Sequence, residues 1–137
     1  MLNRMFLTAA AVLVSAAALA DDFWPKTAKV YFIEPKDGAT VTSPVKVVMG
    51  LSGLGIAPAG VDKPNTGHHH ILIDTGLPDL SYAMPMTDNI KHFGGGQTEG
   101  SLTLSPGTHT LQLIFGDGNH MPHDPPLVSD KITITVK

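Results

Sequence analysis

The chain has 137 residues, no Cys and a formal net charge of −3. That is a one-domain length, and the lack of thiols excludes disulfides, thiolate catalysis and thiolate metal ligation. Arg4 is the single Arg, and twelve acidic residues outweigh nine basic ones. This argues against nucleic-acid binding, whose usual footprint is a patch rich in Arg and Lys.

Residues 1–20 read as a secretory signal peptide. Arg4 is the positive start, residues 5–14 are apolar apart from Thr8, and Ala18-Leu19-Ala20 is the small-x-small cleavage pattern. A retained anchor needs roughly 18 or more apolar residues, and Asp21-Asp22 follows at once. Cleavage after Ala20 leaves residues 21–137 as one mature domain, which without Arg4 carries a net charge of −4. It has no Cys on which to mount a lipid and no membrane anchor. The expected location is the periplasm or the exterior.

No window of the mature chain shows a sustained helical stripe. Short β-rich runs recur instead, separated by Gly, Pro and Asp. They cover residues 28–33, 45–52, 68–74, 97–104, 108–116 and 131–136, and a weak strand is required between residues 80 and 90. The alternating sets Leu102/Leu104, Leu111/Leu113/Phe115 and Ile132/Ile134/Val136 supply buried faces with the two-residue strand period. About seven short strands at this spacing predict an all-β fold, an immunoglobulin-like antiparallel β-sandwich.

Seven His stand out in a domain of this size. Imidazole is the commonest transition-metal ligand, and no Cys competes for that role. If the strands cross the sandwich in turn, the loops 53–67, 91–96 and 117–129 share one end. His68, His69 and His70 open a strand there, His92 lies in the second loop, and His120 and His123 lie in the third. These six are the candidate metal ligands. Strand alternation puts His68 and His70 on one face and His69 on the other, so one ion takes His68 with His70, or His69 alone, together with loop ligands. Gln97 and Asp117 are candidates to orient the ligand rings by hydrogen bonding. His109 follows the Ser105-Pro106-Gly107 turn at the far end and shares a face with core residues, so it reads as structural.

Other motifs carry less. Met84-Pro85-Met86 and Met121 offer soft thioethers for Cu(I), a role in competition with ordinary core filling. Asp117-Gly118-Asn119 starts like a calcium loop, but Val128 stands where position twelve requires an acid. Gly94-Gly95-Gly96 suits a backbone passing close to something bulky.

Several stretches together resemble a known family: Pro35-Lys36-Asp37-Gly38-Ala39, Pro58-Ala59-Gly60, residues 65–74, residues 92–99, residues 106–111 and residues 116–126. They are similar to small exported bacterial proteins catalogued as domain of unknown function 4399. The resemblance covers nearly the whole mature chain. It implies a shared fold and brings no activity.

The residues themselves point to an exported protein that binds a transition metal, copper first and zinc second, through the His rim. A carrier or accessory protein fits better than an enzyme, and a carrier implies a periplasmic partner protein. The alternatives are a metal-free recognition module that uses the same loops for a small ligand or partner, and a copper or zinc enzyme with an open coordination site.

Overall fold

The computed structural model of the protein describes residues 7–15 and 21–137. Arg4 and the Ala18-Leu19-Ala20 pattern, on which the signal-peptide reading rests, lie outside the described residues. Among the described residues there is no helix, and so none long and apolar enough to cross a membrane.

Among the described residues nine strands follow one another: β1 (Lys29–Glu34), β2 (Thr40–Val41), β3 (Val45–Ser52), β4 (Gly55–Ile56), β5 (Thr66–Ile73), β6 (Ile90–His92), β7 (Glu99–Leu102), β8 (Gly107–Gly116) and β9 (Ile132–Val136). They form a three-stranded sheet in the order β1-β3-β7 and a six-stranded sheet in the order β2-β9-β8-β5-β4, with β6 also pairing with β5. The protein is an all-β sandwich of the immunoglobulin-like kind that the strand spacing predicts. Six of the seven anticipated strands are present within two residues at each end. The crossing strand expected between residues 80 and 90 is absent there: its place is taken by β6, which starts at Ile90 and puts His92 in a strand rather than in the loop expected over residues 91–96. Pro78 and Pro85 have no N–H to give a sheet, so the chain before β6 runs over the surface. The added strands β2 and β4 have two residues each, too few to show a period.

Side-chain alternation builds the core between the sheets. Val47, Ile71, Leu111, Leu113, Phe115 and Ile134 are fully buried there, and each contributes roughly 1.5–3 kcal/mol of burial free energy. β5 is buried on both faces along nearly its whole length, as the second half of β8 is beside it. Its inner face presents His69, Ile71 and Ile73 to the core. Its outer face presents His68, His70 and Leu72, and Leu72 belongs to a second apolar cluster with Met84, Ile90 and Ile114. The surface stretch ahead of β6 covers that outer face and brings Met84 down onto it.

Three loops meet at one end of the sandwich. The Ala59 N–H donates to the Gly94 carbonyl and the Gly60 N–H to the Gly118 carbonyl, both at 2.8 Å. A Cβ on Gly118 would stand 2.3 Å from the Val61 carbonyl oxygen, so only glycine allows this approach.

Candidate metal centre

β5 supplies two ligand candidates by alternation. His68 and His70 project from the outer face with ring centres 4.5 Å apart, and neither is exposed. The loop after β8 supplies the third. The His120 Nδ1 lies 3.0 Å from the His68 Nε2 and 3.2 Å from the His70 Nε2, and ligand atoms of the three residues all lie within 4.8 Å of one another. A ring nitrogen carries either one hydrogen or one lone pair, so hydrogen bonding cannot satisfy both short contacts at the His120 Nδ1. A cation can accept all three lone pairs. Metal–nitrogen bonds of about 2.0–2.1 Å in a tetrahedral arrangement place the nitrogens about 3.3 Å apart, close to the spacing seen.

His92 forms the side wall. It pairs in register with His70 across β5 and β6, and its ring centre is 4.5 Å from that of His70 and 5.1 Å from that of His120. Its Nε2 donates to the Pro85 carbonyl at 3.1 Å, which leaves the lone pair on Nδ1. That Nδ1 is buried and has no hydrogen-bond partner. Its ring spacing matches the roughly 5 Å of imidazoles around one ion and its free lone pair suits a ligand, but His92 lies outside the three residues whose ligand atoms all fall within 4.8 Å of one another.

Burial favours the neutral form of His68, His70 and His92. Burial, then the neighbouring His120 and His92, lowers the His68 pKa to about 4. Burial, then His68, His92 and His120, lowers that of His70 to about 2. His92 is lowered too, by burial first, although the Pro85 carbonyl opposes the shift. A neutral imidazole with an available lone pair is the form that binds metal.

The loop that carries His120 is pinned by Asp117. The Asp117 Oδ1 accepts from the Asn119 N–H at 2.8 Å and the Met121 N–H at 3.0 Å. His120 itself has φ 62°, a left-handed conformation uncommon for side-chain-bearing residues and associated with functional sites. The Met84 N–H donates to the His120 carbonyl at 2.9 Å, tying the covering stretch to the same loop. A Cβ on Gly116 would strike the His70 Cε1 at 2.7 Å and the Met84 Cε at 2.8 Å, so glycine there leaves room for both side chains.

The structure divides the six candidate ligands. It brings together His68, His70 and His120, with His92 beside them. His69 points into the core, with its ring centre 5.4 Å from that of Phe115 and both ring nitrogens buried without partners. It is on the opposite face because strand alternation puts it there. His123 turns away to Asp117, with its Nε2 2.7 Å from the Asp117 Oδ2, and stacks on Phe23 at 3.4 Å. Asp117 thus orients the loop and His123 rather than a ring of the cluster. Burial alone would raise its pKa, but the bonds from His123, Met121 and Asn119 lower it further. Gln97 is exposed and accepts from the Gly95 N–H at 3.1 Å, bracing the glycine turn. Met84, which the sequence left between ligand and filler, is buried beside the cluster.

Residues 47–137 match the family model described as a domain of unknown function, DUF4399. Among curated proteins and among solved structures, nothing matches the chain.

Proposed function

Since the chain belongs to the DUF4399 family, a domain of unknown function, we propose from its own geometry that it is an exported protein binding one transition-metal ion, copper first and zinc second. The ligands are His68, His70 and His120, with the His92 Nδ1 closing the fourth position. The observation that carries this reading is the His120 Nδ1 at 3.0 and 3.2 Å from two other imidazole nitrogens, an arrangement that a shared cation satisfies and two full hydrogen bonds cannot. With His92 turned in to complete the three gathered His, the site has four protein ligands and no open position, which is the pattern of structural or carrier sites rather than catalytic ones. The protein therefore acts in the periplasm as a metal carrier or accessory protein and hands its ion to a partner protein.

The test is elemental analysis of untagged protein matured in a periplasm, followed by calorimetric titration of the wild type and of the double variant His68→Ala/His70→Ala. One tight site per chain, lost in the variant, is the expected result. Several weak sites that decline only with His number would leave a His-rich surface, and the recognition-module reading would then lead.

A further inference from the structure

We infer that the centre is built for a monovalent soft cation, Cu(I), in preference to Cu(II) or Zn(II). The inference rests on the metal-binding reading above and concerns which charge the site can neutralise. All four ligand candidates are imidazoles, which bring no negative charge to an ion. Among the described residues no carboxylate bonds any of the four rings, so the bound ion would keep its full charge.

The surroundings offset little of that charge: of the second nitrogens of His68, His70 and His92, that of His92 alone has an acceptor, the Pro85 carbonyl. In sites for divalent ions the second nitrogen of each ligand His usually donates to a carboxylate or carbonyl, which makes the ring a stronger donor and offsets the positive charge. Here the Nδ1 atoms of His68 and His70 are buried and have no partner. The nearest acid with influence on the cluster is Asp117, which acts on His68 through space. Its oxygens are already taken: Oδ2 by His123, and Oδ1 by the N–H groups of Asn119 and Met121. The other neighbours on this face are apolar, namely Leu72, Ile90 and Ile114, with Met84 the only soft one.

The cost of moving an ion out of water scales with the square of its charge. A dication therefore meets about four times the desolvation penalty of a monocation in the same site. Carboxylate ligands normally offset that difference, and none is present. Cu(I) also suits imidazole and thioether donors, and Met84 packs in the apolar cluster on this face of the sheet. Silver, equally monovalent and soft, should follow Cu(I).

The test uses the mature protein under anaerobic, reducing conditions. Cu(I) and Ag(I) are each titrated in competition with a chromophoric chelator, and Zn(II) is titrated in parallel. Cu(II) is titrated without reductant. Cu(I) is expected to bind at least about a hundredfold more tightly than Zn(II) or Cu(II), a ratio equivalent to about 2.8 kcal/mol. His120→Asn, chosen because Asn tolerates the left-handed backbone that His120 occupies, should lose this binding and remain folded. Met84→Glu, which places a carboxylate beside the cluster, should narrow the Cu(I)-to-Zn(II) ratio by at least about tenfold.

Zn(II) or Cu(II) binding as tightly as Cu(I), and lost in His120→Asn, would overturn the charge argument and leave the metal-binding reading standing. Failure of every ion to bind stoichiometrically would end both. Cu(I) binding unchanged in His120→Asn would move the site elsewhere and overturn the inference as stated.

Discussion

At one end of the sandwich His109 stands between two acceptors, with its Nδ1 2.6 Å from the Asp74 Oδ2 and its Nε2 2.7 Å from the Ser105 carbonyl oxygen. At the other end His68, His70 and His120 turn their nitrogens toward one another, and the remaining nitrogens of His68 and His70 meet no acceptor. The consequences are opposite. The hydrogen bond to Asp74, then that to Ser105, raises the His109 pKa, whereas burial, then repulsion from neighbouring rings, lowers those of His68 and His70. One residue type thus serves as a cationic clamp across a turn in one place and as a set of free lone pairs in the other. What faces the ring decides which.

The sharpest way to break this comparison is to remove two side chains from each side in turn. His68→Ala with His70→Ala should weaken metal binding by several kcal/mol, because a site that loses half its ligands no longer holds an ion. Asp74→Ala with His109→Ala should leave metal affinity per folded molecule unchanged. Calorimetric titration of both variants reads the difference, and equal losses would show that the two ends are not distinct.

Acid comes next. The pKa values of His68, His69 and His70 are lowered to about 4, about 4 and about 2, so between pH 6.5 and about 4 the unfolded chain binds protons that the folded chain refuses. Stability of the metal-free protein should therefore fall as pH drops through this range, by several kcal/mol in total. Denaturant midpoints measured at pH 7 and pH 5 check this. A flat profile would mean that the cluster rearranges to admit protons without unfolding.

Much of this architecture was legible in the sequence. The alternating runs around Leu111, Leu113 and Phe115 and around Ile132, Ile134 and Val136 give β8 and β9, and the loop arithmetic brings the loops near residues 59, 94 and 118 together. Alternation also separates His69 from His68 and His70. What sequence could not decide was which face of β5 carries the site, because Ile71, Leu72 and Ile73 are apolar on both sides. Both faces are in fact covered, the outer one by a coil stretch that has no period to read. His123 was misleading for a related reason: its spacing from His120 suits a shared ion, but the left-handed backbone at both residues sends the two rings in different directions. The same spacing cannot reveal Asp117 as the anchor of the loop.

Asp117 therefore offers a way to loosen the cluster without touching it. Asp117→Ala frees the N–H groups of Asn119 and Met121 and releases His123, so the His120 ring loses its fixed position. Metal affinity should fall about tenfold, the lower end of what outer partners of metal ligands contribute. His109→Ala should act on stability alone, by about 1 kcal/mol, since Asp74 is 42% exposed and water screens the pair. Its sign with pH is opposite to that of the cluster. With a raised folded pKa, the His109 contribution is complete below pH 6.5 and disappears as pH rises through the folded value. Asp74 is lowered, because the bonds from His109 and Thr110 outweigh its burial, so its contribution is complete above pH 3.8 and is lost as pH falls through the folded value. The wild type and variant should thus differ most at mildly acidic pH and converge in alkali, which thermal melts across that range can follow.

The smallest effect should come from His123. Its ring stacks on Phe23 and meets Trp24 edge-on, and Trp24 in turn donates to the Pro122 carbonyl at 2.8 Å. These contacts fasten the segment at Phe23 and Trp24 to the loop that carries His120. Removing the ring leaves the Trp24 bond and both backbone bonds to Asp117 intact, so the loop keeps most of its hold. His123→Ala should lower stability by about 1 kcal/mol, the scale of one aromatic contact with its hydrogen bond, and change metal affinity by less than about threefold, under 0.7 kcal/mol. If His123 were a ligand its removal would cost far more than Asp117→Ala, since an ion tolerates a displaced orienting group better than a missing donor. Titrating these two single variants side by side ranks them: Asp117→Ala the weaker binder confirms His123 outside the coordination sphere, and the reverse order puts it back inside.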